Sequence, residues 1–217
     1  EPTLRFADRT DTELLRLIDA AGGTDLFRAT GMIDQFGDTF EVEPCPTISI
    51  AGSVATVTGG CARADGSRLE GSGTVDNPIG WDQLDYEFQN DTLYTFTGFG
   101  LTQDQTTQTF DGWLRRSNGL ATWDADLTAS FLGLTVRSDL YIHCTDPQHP
   151  SCAFTNSGIE LPGVGGARVS GTVKASTTGG GQQIDLTLQG VDRLTIHSSG
   201  TCVGWQIEGT TRGRTCP

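Results

Sequence analysis

The chain has 217 residues, enough to bury a sizeable core in one large β-domain without disulfides to rescue it. Asp and Glu outnumber Lys and Arg by 27 to 14, a net charge of -13, which disfavours the polyanionic partners, nucleic acid and anionic membrane surfaces. With 29 Gly, abundant Ser and Thr and a single Met, the composition suits strands and tight turns, and no apolar run is long enough for a membrane-spanning helix.

The N-terminal part reads as helical. Thr10 and Glu13 have the spacing of a capping box, and Leu14, Leu15, Leu17 and Ile18 follow as an apolar stripe ended by Gly22-Gly23. Leu26, Ala29, Met32, Ile33 and Phe36 recur at spacings of three and four, so a second short helix is expected from Asp25 to about Phe36. From Thr39 the period becomes two. Strands are expected near 46–51, 54–59, 67–76, 83–90, 92–99, 106–117, 120–131, 134–143, 168–177, 182–190, 192–199, 201–208 and 210–216. Asp65-Gly66, Asn90-Asp91, Asn118-Gly119 and Gly179-Gly180-Gly181 mark turns between them, and the Pro- and Gly-rich segment 146–166 reads as a long loop. The fold class is therefore mainly β: a large antiparallel sheet, as a meander, sandwich or half-barrel, in one domain over 1–217. The helical segment at about 10–36 covers its apolar face.

The six cysteines fall into three close pairs, Cys45 with Cys61, Cys144 with Cys152 and Cys202 with Cys216. An even count at hairpin spacings, with no CxxC, reads as a disulfide set formed in an oxidising compartment. Export follows, to the periplasm, cell surface or exterior. Glu1 is then expected to be a mature N-terminus or the start of a trimmed chain, and a lipid anchor on an upstream cysteine stays open.

Two-residue turns at Asn118-Gly119 and Leu132-Gly133 set a register for three strands. Apolar residues then face each other on one side, as with Ala129 and Val136. On the polar side the register gives two rows, Asp111–Asp126–Asp139 and Trp113–Asp124–Tyr141. Directly opposed like charges are destabilising, so three carboxylates in a row suggest a cation, with Ca2+ the fitting hard ion. Arg137 or Arg115 is the alternative source of neutralising charge. Trp113, Asp124, Tyr141 and Arg137 form a candidate glycan platform, and Asp111, Asp126 and Asp139 the candidate metal set. A row of solvated charges that discourages strand pairing is the plainer reading. A carboxylate pair, Asp126 with Asp111 or Asp139, has the proximity of a retaining glycosidase pair. His143, Cys144, His149 and Cys152 lie close enough for zinc, although a plain disulfide fits the cysteine pattern better. No GxSxG, HExxH or P-loop occurs, and the reading is not an enzyme.

The segment CPTISIAGSVATVTGGCARADGSRLEGSGTV, Cys45 to Val75, resembles a segment of predicted secreted proteins and lipoproteins of myxobacteria-like bacteria. The shared frame is CPT, a glycine hairpin, TGGC, an ADG turn and a Gly-rich strand. The resemblance implies export, a Cys45–Cys61 bridge and a β-rich body, and it carries no activity.

Three functions are consistent with this reading. The first is a non-enzymatic structural or interaction protein of the cell envelope or exterior, self-assembling through edge strands. The strand near 210–216 and the extended segment 1–9 are the expected contact elements, and the partners are copies of itself or other envelope components. The second is a glycan- or cation-binding module on the Trp113/Tyr141/Asp face. The third is a periplasmic carrier of an apolar ligand.

Overall fold

A computed structural model describes residues 2–36, 45–76, 91–117, 122–145, 151–175, 182–199 and 202–216. The strand expected at 83–90 and the turns at Asn118-Gly119 and Gly179-Gly180-Gly181 lie outside these residues, as does Asn90. The protein is mainly β. Two helices, α1 (Asp11–Ala21) and α2 (Thr24–Asp34), precede the strands. The strands are β1 (Thr47–Ala51), β2 (Val54–Thr58), β3 (Cys61–Ala62), β4 (Arg68–Asp76), β5 (Thr92–Gln103), β6 (Thr106–Ser117) and β7 (Thr122–Phe131). They continue with β8 (Leu134–Thr145), β9 (Ser151–Leu161), β10 (Gly165–Ala175), β11 (Gln182–Gln189), β12 (Arg193–Ser199), β13 (Cys202–Ile207) and β14 (Thr210–Thr215). They form a 14-stranded antiparallel sheet that follows chain order, with β3 set aside on β4. Contacts group the chain into two compact units, Glu1–Thr24 with Ala121–Asp124 and Val136–Pro217, and Asp25–Leu120 with Ala125–Thr135.

In the first unit α1 starts at the predicted capping box. Thr10 Oγ1 accepts the Glu13 N–H at 3.3 Å, and Glu13 Oε2 accepts the Thr10 N–H at 2.8 Å. These bonds satisfy two of the four free donors of the helix start. Leu14, Leu17, Ile18 and Ala21 are buried, and α1 packs on β9. Thr10→Ala is expected to cost about 1 kcal/mol in a denaturant melt. The Thr10 N–H holds the Glu13 carboxyl below its usual range, against an opposing push from burial. A depressed carboxyl stabilises the fold above its unfolded value of about 4.3 and loses that contribution as pH falls through the folded value. The gap between wild type and Glu13→Gln should accordingly narrow on acidification, and an unchanged gap would place the cap's energy elsewhere.

The segment before α1 departs from expectation. It is no free arm: Leu4 and Phe6 are fully buried in their own chain. The N–H groups of Thr3 and Leu4 both donate to Gly166 O at 2.9 Å, and Leu4 O accepts from Val191 N–H at 2.7 Å. The Asp192 carboxylate takes the Phe6 and Ala7 N–H groups at 2.6 and 2.8 Å. Within residues 2–9 these bonds engage backbone groups of Thr3, Leu4, Phe6 and Ala7 inside the chain, which leaves fewer of them to pair with a neighbour's sheet.

The second departure is β9, which occupies most of the segment expected as loop. Phe154, Ser157, Ile159 and Leu161 are buried, but the alternation breaks between Phe154 and Ser157. The register slips there against both neighbours, around Asn156 at φ 50°. A bulge inserts one residue and inverts the side-chain phase, which hides the strand from a period-two reading.

In the second unit α2 lays Leu26, Ala29 and Ile33 on the sheet. Gly73 of β4 admits Ile33, whose Cδ1 lies 2.7 Å from where a Cβ would be. Phe96, Phe99 and Phe110 pack together, with Phe36 edge-on to Phe99 at 6.4 Å between centroids. Beside them buried Tyr94 gives its hydroxyl to the Asp34 carboxylate at 3.2 Å and accepts from Arg116. The three disulfides join Cys45–Cys61, Cys144–Cys152 and Cys202–Cys216, as the spacing predicts.

Candidate functional site

The predicted polar-face residues lie on β6, β7 and β8. In the second unit Asp111 is exposed, and its carboxylate accepts the Gly98 N–H at 2.6 Å. Gly98 sits where β5 carries an extra residue relative to β6, between Phe96 and Phe99. Such an insertion strands a backbone N–H, and Asp111 satisfies it. That bond accounts for an acidic residue here without any ion. Trp113 stands opposite Thr95 and is 37% exposed. Asp126, in the same unit, is half-buried.

In the first unit Asp124 is half-buried, while Arg137, Asp139 and Tyr141 are exposed, Tyr141 at 41%. Trp113 in the second unit and Tyr141 in the first are each partly exposed. The predicted two-residue turn at Leu132-Gly133 is present, both residues having positive φ, 51° and 78°. Two side-chain contacts obey the predicted β7–β8 register: Ser130 Oγ to Thr135 Oγ1 at 2.7 Å, and Thr122 Oγ1 to His143 Nδ1 at 3.2 Å. That register sets Asp124 opposite Tyr141. The Asp111, Asp126 and Asp139 set draws on both units. Among the described residues no group of three or more His, Cys, Asp or Glu is arranged to hold a metal ion. The zinc alternative loses its sulfurs, because Cys144 and Cys152 are bonded to each other, and His149 lies outside the described residues.

A shallow cavity of about 420 Å3 opens in the first unit. Arg137, Asp139, Glu160, Arg168 and Thr3 wall it, and Gly158 belongs to its lining. The register explains the shape. Asp139 and Arg168 both pair with Gly158, from either side, so a missing side chain leaves a gap between an anion and a cation. Arg137 lies opposite Glu160, their charged atoms 4.0 Å apart. Opposite charges across a short gap suit a small polar molecule, not an apolar one, so this cavity lends nothing to the carrier reading. Arg137 and Asp139 were legible as candidates. Gly158, Glu160 and Arg168 were missed, because β9 carries two of them and read as loop.

One more pair lies on the exposed face of the first unit. His197 Nδ1 and Asp185 Oδ1 are 2.8 Å apart on neighbouring strands, and the bond with His197 is the main cause holding the Asp185 carboxyl below its usual range. Adjacent Ser198 accepts the Ile184 N–H, and successive strand residues point to opposite faces, so it is not placed as a nucleophile for this His. The chain matches no family model, no curated protein and no solved structure.

Proposed function

We propose that this chain is a non-enzymatic structural or interaction protein that works outside the cytosol, at the cell envelope or beyond it, and associates with a second copy through β1. Three disulfides support an oxidising compartment. Among the described residues no helix is long and apolar enough to cross a membrane.

The observation that carries the association is the contrast between the two terminal strands of the sheet. Among the described strands, β1, β14 and the two-residue β3 each have one hydrogen-bonded neighbour, and β1 and β14 end the sheet. The β14 sequence, TTRGRT, carries Arg212 and Arg214, charges of the kind that discourage edge pairing. The β1 sequence, TISIA, carries none, and Ile50 is 44% exposed. Ala51 and Val54 close a two-residue turn with Gly52 at φ 61°. A turn of that length makes Ala51 and Ser49 the bonded positions toward β2, which leaves the N–H groups of Ile48 and Ile50 pointing outward. Among the described strands, one bare edge and one blunted edge favour a closed two-fold dimer over a fibre.

Sedimentation velocity tests this with Ile50→Pro, which removes an outward N–H and no bond to β2. Wild type should shift to twice the monomer mass as concentration rises, and Ile50→Pro and Ile50→Lys should stay monomeric with unchanged circular dichroism. A wild type that stays monomeric throughout would end the β1 proposal.

A further inference from the structure

The wet face of the second unit carries an ordered grid of hydroxyls. The registers align Ser49, Thr56, Thr74 and Thr95 in one row across β1, β2, β4 and β5. The same registers align Thr47, Thr58, Ser72 and Thr97 in a second row beside it. Strand geometry spaces neighbours within a row by about 4.8 Å and the two rows by about 7 Å. The first row continues into exposed Trp113, which pairs with Thr95, and Leu93, also partly exposed, lies diagonal to it. All eight hydroxyl residues are exposed or half-exposed. Among the described residues, none of the eight has a side-chain hydrogen bond, whereas Ser53, Ser67, Thr102 and Ser130 each do.

We propose that this grid binds an uncharged, extended β-1,4-linked polysaccharide of the cellulose or chitin kind, laid across the strands with one sugar ring stacked on Trp113. Four features select that partner. The eight hydroxyl positions carry no charge, and the charges that border them, Asp76 and Arg115 on either side of Leu93, are of opposite sign, so the face offers nothing complementary to a polyion. Protein partners favour aromatic residues, Met and Arg, and Ser and Thr rarely anchor such interfaces. A regular lattice of groups that both donate and accept suits a polymer that repeats the same hydroxyls along a flat ribbon. Trp113 and Leu93 supply the apolar patch that a sugar ring face requires. The site differs from the Trp113/Asp124/Tyr141 row, since it runs from Trp113 toward β1 and uses neutral groups. It also stands apart from dimer formation, because it uses the sheet face and not the edge.

Each contact is weak, so the readout is retention on insoluble polymer, where many sites act together. Purified protein is incubated with microcrystalline cellulose and with chitin, and the bound fraction is measured. Wild type should be retained on at least one of them. Thr56→Val with Thr74→Val, which keeps shape and removes two central hydroxyls, should lower retention at least fivefold, as should Trp113→Ala. Thr195→Val, on β12 in the first unit, should leave retention unchanged. Melting temperatures within a few degrees of wild type establish that the variants fold. The proposal is overturned by no retention on either polymer, by retention that survives both grid variants, or by ice adsorption without polymer retention, which would assign the lattice to ordered water.

Discussion

Phe6→Ala is expected to destabilise the first unit by about 3–5 kcal/mol, the range for removing a buried aromatic side chain. Phe6 has no exposed surface, and neither has Leu4 beside it. The backbone around them is pinned at both ends, by Gly166 and Val191 before Phe6 and by Asp192 at and after it. The space cannot readily collapse, because Gly190 already presses against the segment, its missing Cβ position lying 2.0 Å from Leu4 O. Guanidinium denaturation followed by circular dichroism checks the figure. A loss below about 1 kcal/mol would mean that the segment is an appendage after all.

Gly71→Val should be similarly damaging, by about 3 kcal/mol or more, through backbone conflict in place of a cavity. Gly71 has φ 65°, and a Cβ there would lie 2.1 Å from Gly98 O and 2.3 Å from Gly98 C. The obstacle is main chain at the β4–β5 bulge, so no side-chain rotation relieves it. Gly52→Ala is the control: φ is 61°, but nothing lies within 4 Å. It should cost only the left-handed backbone penalty, about 1–2 kcal/mol. Thermal melts of the two variants separate steric conflict from conformational preference, and equal losses would refute the close approach.

Local chemistry was legible in the sequence, and chemistry that spans strands was legible only where a short turn tied the strands together. The capping box of Thr10 and Glu13 could be read because both partners sit within one turn of helix. The disulfides could be read because each closes a short loop. The β7–β8 register followed from the two-residue turn at Leu132-Gly133, and the Thr122–His143 contact obeys it. By contrast, Asp111 looked like one of three bare carboxylates because the Gly98 amide it serves belongs to another strand, displaced by an insertion no local pattern announces. Asn156 hid β9 for the same reason. The hydroxyl rows show as Thr-Ile-Ser and Ser-Gly-Thr alternations, but their alignment depends on pairings across 59–67 and 77–91, connections too long to fix a register from turn chemistry.

Amide hydrogen exchange on β1 as protein concentration rises tests association through the bare edge most directly. The Ile48 and Ile50 amides, which point away from β2, should exchange quickly in dilute protein and become protected as dimer forms. Amides along the arginine-bearing β14 should exchange at the same rate throughout. Exchange at Ile48 and Ile50 that does not change with concentration, or protection that develops on β14 instead, would contradict it.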